Sequence, residues 1–366
     1  MNKEVFIHSF RPVLPEYQLP QEKIVKWTLQ GHQRYEEISG RGETFTGTRL
    51  LSRFALSEKH IRRRFFDCPE VDEEWEGHDV YRLTEKTREG ATFGEKNLYF
   101  NERVQRVFHE LYEKEAPSHI IHVTCTGYLS PSPPQVFFAA KDIKPSITHA
   151  YHMGCYASLP AIRIAKGLFL SEGQDVDIVH TELCSLHLDP AIHTPEQIVV
   201  QTLFADGHIK YSVGGNKKGF RILAIVEKLL PASGKDMTWI PDSHGMKMGL
   251  SRDVPYKIRE NIHSLIEGLS EKTKIPVVKI LKEASFAIHP GGPKIIEEVQ
   301  KKLELKDSQV KESKRMLFER GNMSSATLPH VWNELWNKEL PDKTLVVSLA
   351  FGPGLTVFGS VFEVRS

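Results

Sequence analysis

The stretch that most restricts the fold is His152-Met-Gly-Cys155-Tyr-Ala-Ser-Leu-Pro160, which opens a run ending at Leu170. Leu159, Ile162, Ala165, Leu168 and Phe169 recur at helical spacing, and Arg163 and Lys166 are the only charges. The pattern predicts a largely buried helix over 156–171. Pro160 is tolerated in its first turn, where no intrahelical N–H is needed. Cys155 therefore sits at or just before a helix N-terminus, where unpaired N–H groups and the helix dipole favour a thiolate. A buried cysteine at the same position serves equally well as a small apolar core residue. A second opening, Gly321-Asn-Met-Ser-Ser-Ala-Thr-Leu-Pro-His-Val-Trp332, mirrors the first: glycine, one chemically active residue, a large apolar residue, then small residues. Two such openings predict one structural position used twice in duplicated halves, at a period too long for a solenoid.

The rest of the chain fits that duplication. In the first half, strands are expected at 4–8, 118–126 and 177–180, with helices at 21–37 and 97–115. Residues 48–66 form a mixed segment, 67–95 are acidic and irregular, and Ser130-Pro-Ser-Pro-Pro134 breaks regular structure. After 202–207, two strands turn at Gly214-Gly215-Asn216. In the second half, a strand lies in 218–230, a helix at 253–269 and a short apolar segment at 274–281. A strand at 285–289 then meets the turn Pro290-Gly-Gly-Pro293, which hands over to a helix at 294–304. Closing strands fall at 345–350 and 356–364. Alternation of strand and helix argues for a layered α/β sheet, with halves at 1–215 and 216–366.

The 366 residues are 40% apolar and 26% charged, with a net charge of +1. That balance gives no support for nucleic-acid binding, which needs a basic excess on one face. Cys68, Cys125, Cys155 and Cys184 show no paired short spacing, so neither a disulfide framework nor a zinc site is expected, and a reducing, cytoplasmic setting fits best. The N-terminal residues carry no signal-like apolar core, and no apolar run reaches membrane-spanning length, so no membrane insertion is expected. His119/His122 and His149/His152 are spaced to opposite faces of a strand, against a metal site.

Three groups carry chemistry: Cys155 at a helix start, His289 at a strand end before a Gly-rich turn, and Asn322 at the second helix start. A thiolate needs a basic partner, and an imidazole with an amide makes a sound oxyanion hole for a thioester. Cys, His and Asn in this order also occur in papain-like proteases, but the Cys-Gly-Ser-Cys-Trp signature is missing. Arg62-Arg63-Arg64 reads as a solvated face or as a phosphate-binding edge.

Gly154-Cys-Tyr-Ala, Phe204-Ala-Asp-Gly207, His289-Pro-Gly-Gly-Pro293, Gly321-Asn-Met-Ser-Ser-Ala326 and Phe351-Gly-Pro-Gly-Leu-Thr356 together resemble the motifs of type III polyketide synthases, the chalcone-synthase-like enzymes. These share the thiolase superfamily with the ketoacyl-carrier-protein synthases III. The resemblance implies a five-layered αβαβα fold of two duplicated halves and a homodimer. It implies that Cys155 takes an acyl group from a thioester, that His289 keeps it as thiolate, and that His289 and Asn322 hold the thioester carbonyl and assist decarboxylation of a malonyl thioester. The enolate then attacks the bound acyl group. No cofactor or metal is implied; the substrates are coenzyme A thioesters, with an acyl carrier protein as another donor. Lys59, Arg62, Arg63 and Arg64 match the region that receives the coenzyme A phosphates.

The same resemblance places Phe204 as one gate of the cavity and puts Ser324 beside Asn322. Departures gather in the wall: Met248 replaces a second gate phenylalanine, Cys125 and Thr126 replace Thr-Ser, Cys184 and His187 replace two threonines, and Ser130 and Ala350 replace a Met and a Gly. A remodelled cavity implies an aliphatic acyl starter and a pyrone, resorcinol or diketone-like product. A stand-alone ketosynthase joining two acyl chains, or an acyltransferase using the same cysteine, are the alternatives. Glu182 reads as a structural carboxylate or a second base.

Overall fold

The computed structural model describes residues 3–40, 47–113 and 115–366. In chain order the strands are β1 (Phe6–Val13), β2 (Tyr17–Pro20), β3 (Arg63–Phe66), β4 (His119–Thr124), β5 (Ser146–Tyr151), β6 (Val176–Glu182) and β7 (Gly207–Gly214). They continue as β8 (Gly219–Leu229), β9 (Met237–Asp242), β10 (Gly245–Leu250), β11 (Ser285–Ile288), β12 (Leu345–Gly352) and β13 (Thr356–Arg365). Nine of them form one sheet in the order β11-β12-β13-β8-β1-β7-β6-β4-β5.

That order contains a repeat. β4 and β6 are parallel, β6 and β7 antiparallel, β7 and β1 antiparallel. On the other side β11 and β12 are parallel, β12 and β13 antiparallel, β13 and β8 antiparallel. The two sets meet where Phe6 pairs with Arg221 and Ile7 with Phe220. β5 extends the first set and has no counterpart in the second.

Three apolar cores give the layers. One holds the helices Ser158–Glu172 and Thr327–Asn337 between the two strand sets, joining Ile162 and Phe169 to Val331, Trp332 and Leu335. A second packs the helices Val254–Thr273 and Pro293–Leu303 on the outer face of the second set. A third packs the helix Phe93–Leu111 and Trp27 of the first helix outside the first set. Helix, sheet, helix, sheet and helix follow in turn, the thiolase-like five-layered arrangement. Helices are needed on both faces because parallel strands expose apolar side chains on both; β4, β6 and β12 are buried along their whole length.

Local signals explain where the expected boundaries move. The helix expected at 97–115 runs Phe93–Leu111, because Thr92 and Glu95 form a capping box: the Thr92 hydroxyl accepts from Glu95 N–H and Glu95 accepts from Thr92 N–H at 2.8 Å. The position 114 included in that expectation lies outside the described residues. The segment 274–281 is the helix Val277–Glu283, started behind Pro276. The helices Pro195–Leu203 and Asp307–Arg320 and the β9–β10 hairpin were not anticipated. No helix among the described residues is long and apolar enough to cross a membrane.

Candidate active site

The chemically active residues follow the C-terminal ends of the parallel strands: Cys125 after β4, Cys155 after β5, Cys184 after β6, His289 after β11. Open strand ends are where an α/β sheet leaves room for a ligand.

Cys155 lies in the turn Gly154–Tyr156 that leads into the helix Ser158–Glu172. The turn depends on Gly154, whose φ is +75°; a Cβ there would also stand 2.7 Å from Pro353 Cδ. The second opening repeats the device. Gly321 has φ +73°, and a Cβ would meet Leu203 O at 2.9 Å. Asn322 follows, its N–H donating to Leu203 O at 3.0 Å while its carbonyl accepts from Ala205 N–H at 2.8 Å. This bridge fixes Phe204 and Asn322 side by side. Asn322 Oδ1 accepts from Ser324 N–H at 2.9 Å, which turns its amide NH₂ toward the Cys155 sulfur. Ser324 holds a strained φ of +49° and puts its Oγ 3.8 Å from Cys155 Sγ.

His289 is 1% exposed, and among the described residues neither ring nitrogen has a hydrogen-bond partner. Its backbone is set by an N–H to Leu349 O bond of 2.7 Å. Burial drives its pKa down to about 3. Burial also pushes the Cys155 thiol up to about 12, against the pull of the Ser324 and Asn322 hydrogen bonds. Both shifts favour a neutral thiol and a neutral imidazole over the thiolate expected from the helix N-terminus. Below its pKa, such a thiol gains thiolate tenfold per pH unit. Alkylation of Cys155 by iodoacetamide is thus expected to climb about tenfold per unit between pH 6 and 9. A rate already level at pH 6 would instead reveal a preformed thiolate–imidazolium pair.

A single pocket gathers Cys125, Thr126, Cys155, Cys184, Phe204, Met248 and Ser324. His187 stands behind this wall: its Nε2 donates to Thr126 O at 2.8 Å and its Nδ1 accepts from Met246 N–H at 3.1 Å. It pins the β9–β10 hairpin and does not line the pocket, a correction to the expected role. The hairpin supplies the lining that sequence reading missed, Met237, Thr238 and Trp239, with Trp239 directly opposite Met248 across the strands. Trp239 Nε1 donates to Cys125 O at 2.6 Å, so a large indole closes one side. The alternating apolar residues of 237–248 around Asp242-Ser-His-Gly245 were the available signal.

Behind the pocket lies Glu182, fully buried. It accepts from Thr126 Oγ1 at 2.8 Å, Cys125 N–H at 3.1 Å, Cys125 Sγ at 3.3 Å and the Ser325 hydroxyl. Burial raises its carboxyl above the ordinary value, opposed by these donors. The serine continues to His180 Nδ1 at 3.0 Å, whose Nε2 meets Tyr211 OH at 3.1 Å.

The basic run divides into separate roles. Arg64 is completely buried and bonded to Gln21 Oε1, Gln201 O and Phe204 O, so it has no reach to a phosphate, contrary to expectation. Arg62 and Arg63 both pair with Glu319, in a hollow shared with Arg315, Arg320 and Glu334 that has no residue in common with the Cys155 pocket. Lys59 is exposed. A separate apolar groove runs between Phe54, Leu56, Val199 and Leu250 to the Gly291-Gly292 turn beside His289, with Arg252 and Lys294 on its rim.

Five layers and twin glycine-led helix openings define a thiolase-like protein. Residues 221–365 match the family described as chalcone and stilbene synthases, C-terminal domain. The C-terminal type III polyketide synthase domain of Steely1, a type I/III hybrid from Dictyostelium, superposes with a TM-score of 0.82 at 22% identity, covering 99% of this chain and 100% of that one. PKS-I from the brown alga Ectocarpus siliculosus gives 0.84 at 20% identity, covering 100% and 99%. 1,3,6,8-Tetrahydroxynaphthalene synthase from Streptomyces coelicolor A3(2) gives 0.80 at 21%, covering 99% of each. Probable polyketide synthase 1 of Dictyostelium discoideum is 29% identical over 255 residues, 66% of this chain; the match spans 8% of that much longer protein. The C-terminal part of the chain thus matches the chalcone and stilbene synthase family, and the whole chain has the fold of the type III polyketide synthases.

Proposed function

We propose that the protein is a decarboxylating ketosynthase that loads an acyl group from a coenzyme A thioester onto Cys155 and extends it with a malonyl-type thioester. The observation that carries this reading is the convergence on Cys155 Sγ of the Asn322 amide and the Ser324 hydroxyl, with a buried His289 whose ring nitrogens are unpaired. A buried polar group without a partner costs roughly 1–3 kcal/mol, which a ligand carbonyl in the site would relieve. His289 and Asn322 act as the oxyanion hole for the thioester carbonyl, and His289 takes the Cys155 proton as the thioester arrives. The same two donors stabilise the enolate left when the malonyl carboxylate departs as carbon dioxide. That enolate attacks the Cys155 thioester, forming the carbon–carbon bond and expelling the thiolate.

The apolar groove ending at Gly291-Gly292 suits a pantetheine arm, and Lys294 with Arg252, the latter paired with Glu196 at 3.3 Å, suits its phosphates better than Arg62 and Arg63, which line a different hollow. The indole of Trp239 and the neighbouring Met237 and Met248 favour a short aliphatic starter. A homodimer belongs to the proposal; it would cover the exposed Leu98 and Tyr128, whose segments are tied together where Tyr128 N–H donates to Asn97 Oδ1 at 2.6 Å.

Intact-protein mass spectrometry after exposure to acyl-coenzyme A thioesters of rising chain length, followed by malonyl-coenzyme A and product analysis, tests this reading. An acyl adduct followed by carbon dioxide release and a chain-extended product is expected. An adduct that passes only to a hydroxyl or amine would make the protein an acyltransferase, and no adduct at all would overturn the reading.

A further inference from the structure

We propose that Cys125 is a second acyl-carrying thiol, which receives the acyl group from Cys155 by thioester exchange within the pocket. The proposal rests on the reading that Cys155 is acylated. Both thiols line the same cavity, and one hydroxyl lies within reach of both: Ser324 Oγ stands 2.9 Å from Cys125 Sγ and 3.8 Å from Cys155 Sγ. Cys125 also has a base of its own, since its Sγ donates to Glu182 Oε1 at 3.3 Å. Its backbone is held on both sides, by the N–H to Glu182 and by the carbonyl that accepts from Trp239 Nε1.

A thiol kept only for packing would need none of these polar partners. Burial and the Glu182 charge push the Cys125 thiol well above its usual range, so it is inert until a base takes its proton. Burial also makes the ionised Glu182 a stronger base than an ordinary carboxylate.

The step balances without a co-reactant. Glu182 takes the Cys125 proton as Sγ attacks the acyl carbonyl on Cys155. The tetrahedral adduct collapses with cleavage of the Cys155 S–C bond; Cys155 leaves as a thiolate facing Ser324 and Asn322, its charge balanced by the proton now on Glu182. One thioester replaces another, so the equilibrium lies near unity. The consequence is capacity: with the first acyl group parked on Cys125, Cys155 is free to load a second, and one chain holds both partners of a condensation.

Trypsin places the cysteines on different peptides: Cys125 on 115–141, Cys155 on 142–163 and Cys184 on 167–210. After brief exposure to butanoyl-coenzyme A and an acid quench, the butanoyl mass is expected on 142–163 first and on 115–141 later, with 167–210 clean. Cys155→Ala is expected to leave both peptides clean. Cys125→Ser is expected to trap the group as an oxygen ester that survives neutral hydroxylamine, while the Cys155 thioester does not. A labelled 142–163 peptide with 115–141 clean in both wild type and Cys125→Ser would overturn the proposal and leave Cys155 as nucleophile intact. Label on Cys125 in Cys155→Ala would overturn the exchange route, and equal label on Cys184 would reduce it to indiscriminate transfer. An absence of label everywhere would remove the Cys155 reading, and the proposal with it.

Discussion

Cys155→Ala is expected to lose the acyl adduct and at least about 10³-fold of condensation, yet still release carbon dioxide from malonyl-coenzyme A; Asn322→Ala and His289→Ala are expected to lose both. The separation follows from which atoms each step uses. Acylation needs the sulfur, and removing a nucleophile that works with its neighbours as a unit costs several orders of magnitude. Decarboxylation needs only donors aimed at the developing enolate oxygen, and losing one such donor costs about 10²–10³-fold. Asn322 is set for that role by the Ser324 N–H bond to its Oδ1, and His289 by ring nitrogens with no protein partner. The measurement is carbon dioxide release from labelled malonyl-coenzyme A beside intact mass for each variant. Wild-type acylation of Cys155→Ala would place the nucleophile elsewhere. Undiminished carbon dioxide release by Asn322→Ala would remove the amide from the oxyanion hole.

The parts of this site that were legible in the sequence are those where backbone geometry dictates residue type. Gly154 and Gly321 had to be glycine, because both adopt a left-handed φ and both lie against another segment at contact distance. The duplication announced itself through them. What a single sequence could not show is the charge state and the depth of the wall. The helix N-terminus favours a thiolate by a fraction of the cost of burying one, so desolvation prevails at Cys155. His187 read as pocket lining, but side chains in the turn Cys184–His187 diverge, so Cys184 faces the cavity and His187 faces the hairpin. Glu182 was visible only as one carboxylate near the nucleophile. Its role as acceptor for donors from β4, the Cys125 loop and the Ser325 turn depends on contacts 56 to 143 residues apart in sequence.

The three adjacent arginines teach the same lesson more sharply, and they yield the second large expected effect. Arg63 and Arg64 occupy β3, where successive side chains point to opposite faces, so one of the pair had to turn inward. Arg64 does, its Nε bonding Gln21 Oε1 at 2.8 Å and its Nη1 bonding Gln201 O at 2.9 Å and Phe204 O at 2.6 Å. Its stem packs on Gly321, so one guanidinium ties the first helix to the bridge that carries Phe204 and Asn322. Arg64→Met keeps the stem and strips the donors, leaving two buried carbonyls and an amide oxygen unsatisfied. The cost is expected to be about 3–5 kcal/mol. For a cooperative chain of 366 residues, at about 2.1 cal/mol/K of unfolding entropy per residue, that lowers Tm by about 4–7 °C. Acylation of Cys155 should fall as well, because the Phe204–Asn322 bridge loosens. Arg62→Ala removes only an exposed partner of Glu319 and is expected to shift Tm by less than about 1 °C. Calorimetry on the two variants decides the matter: equal melting temperatures would mean that the buried guanidinium is as dispensable as the exposed one.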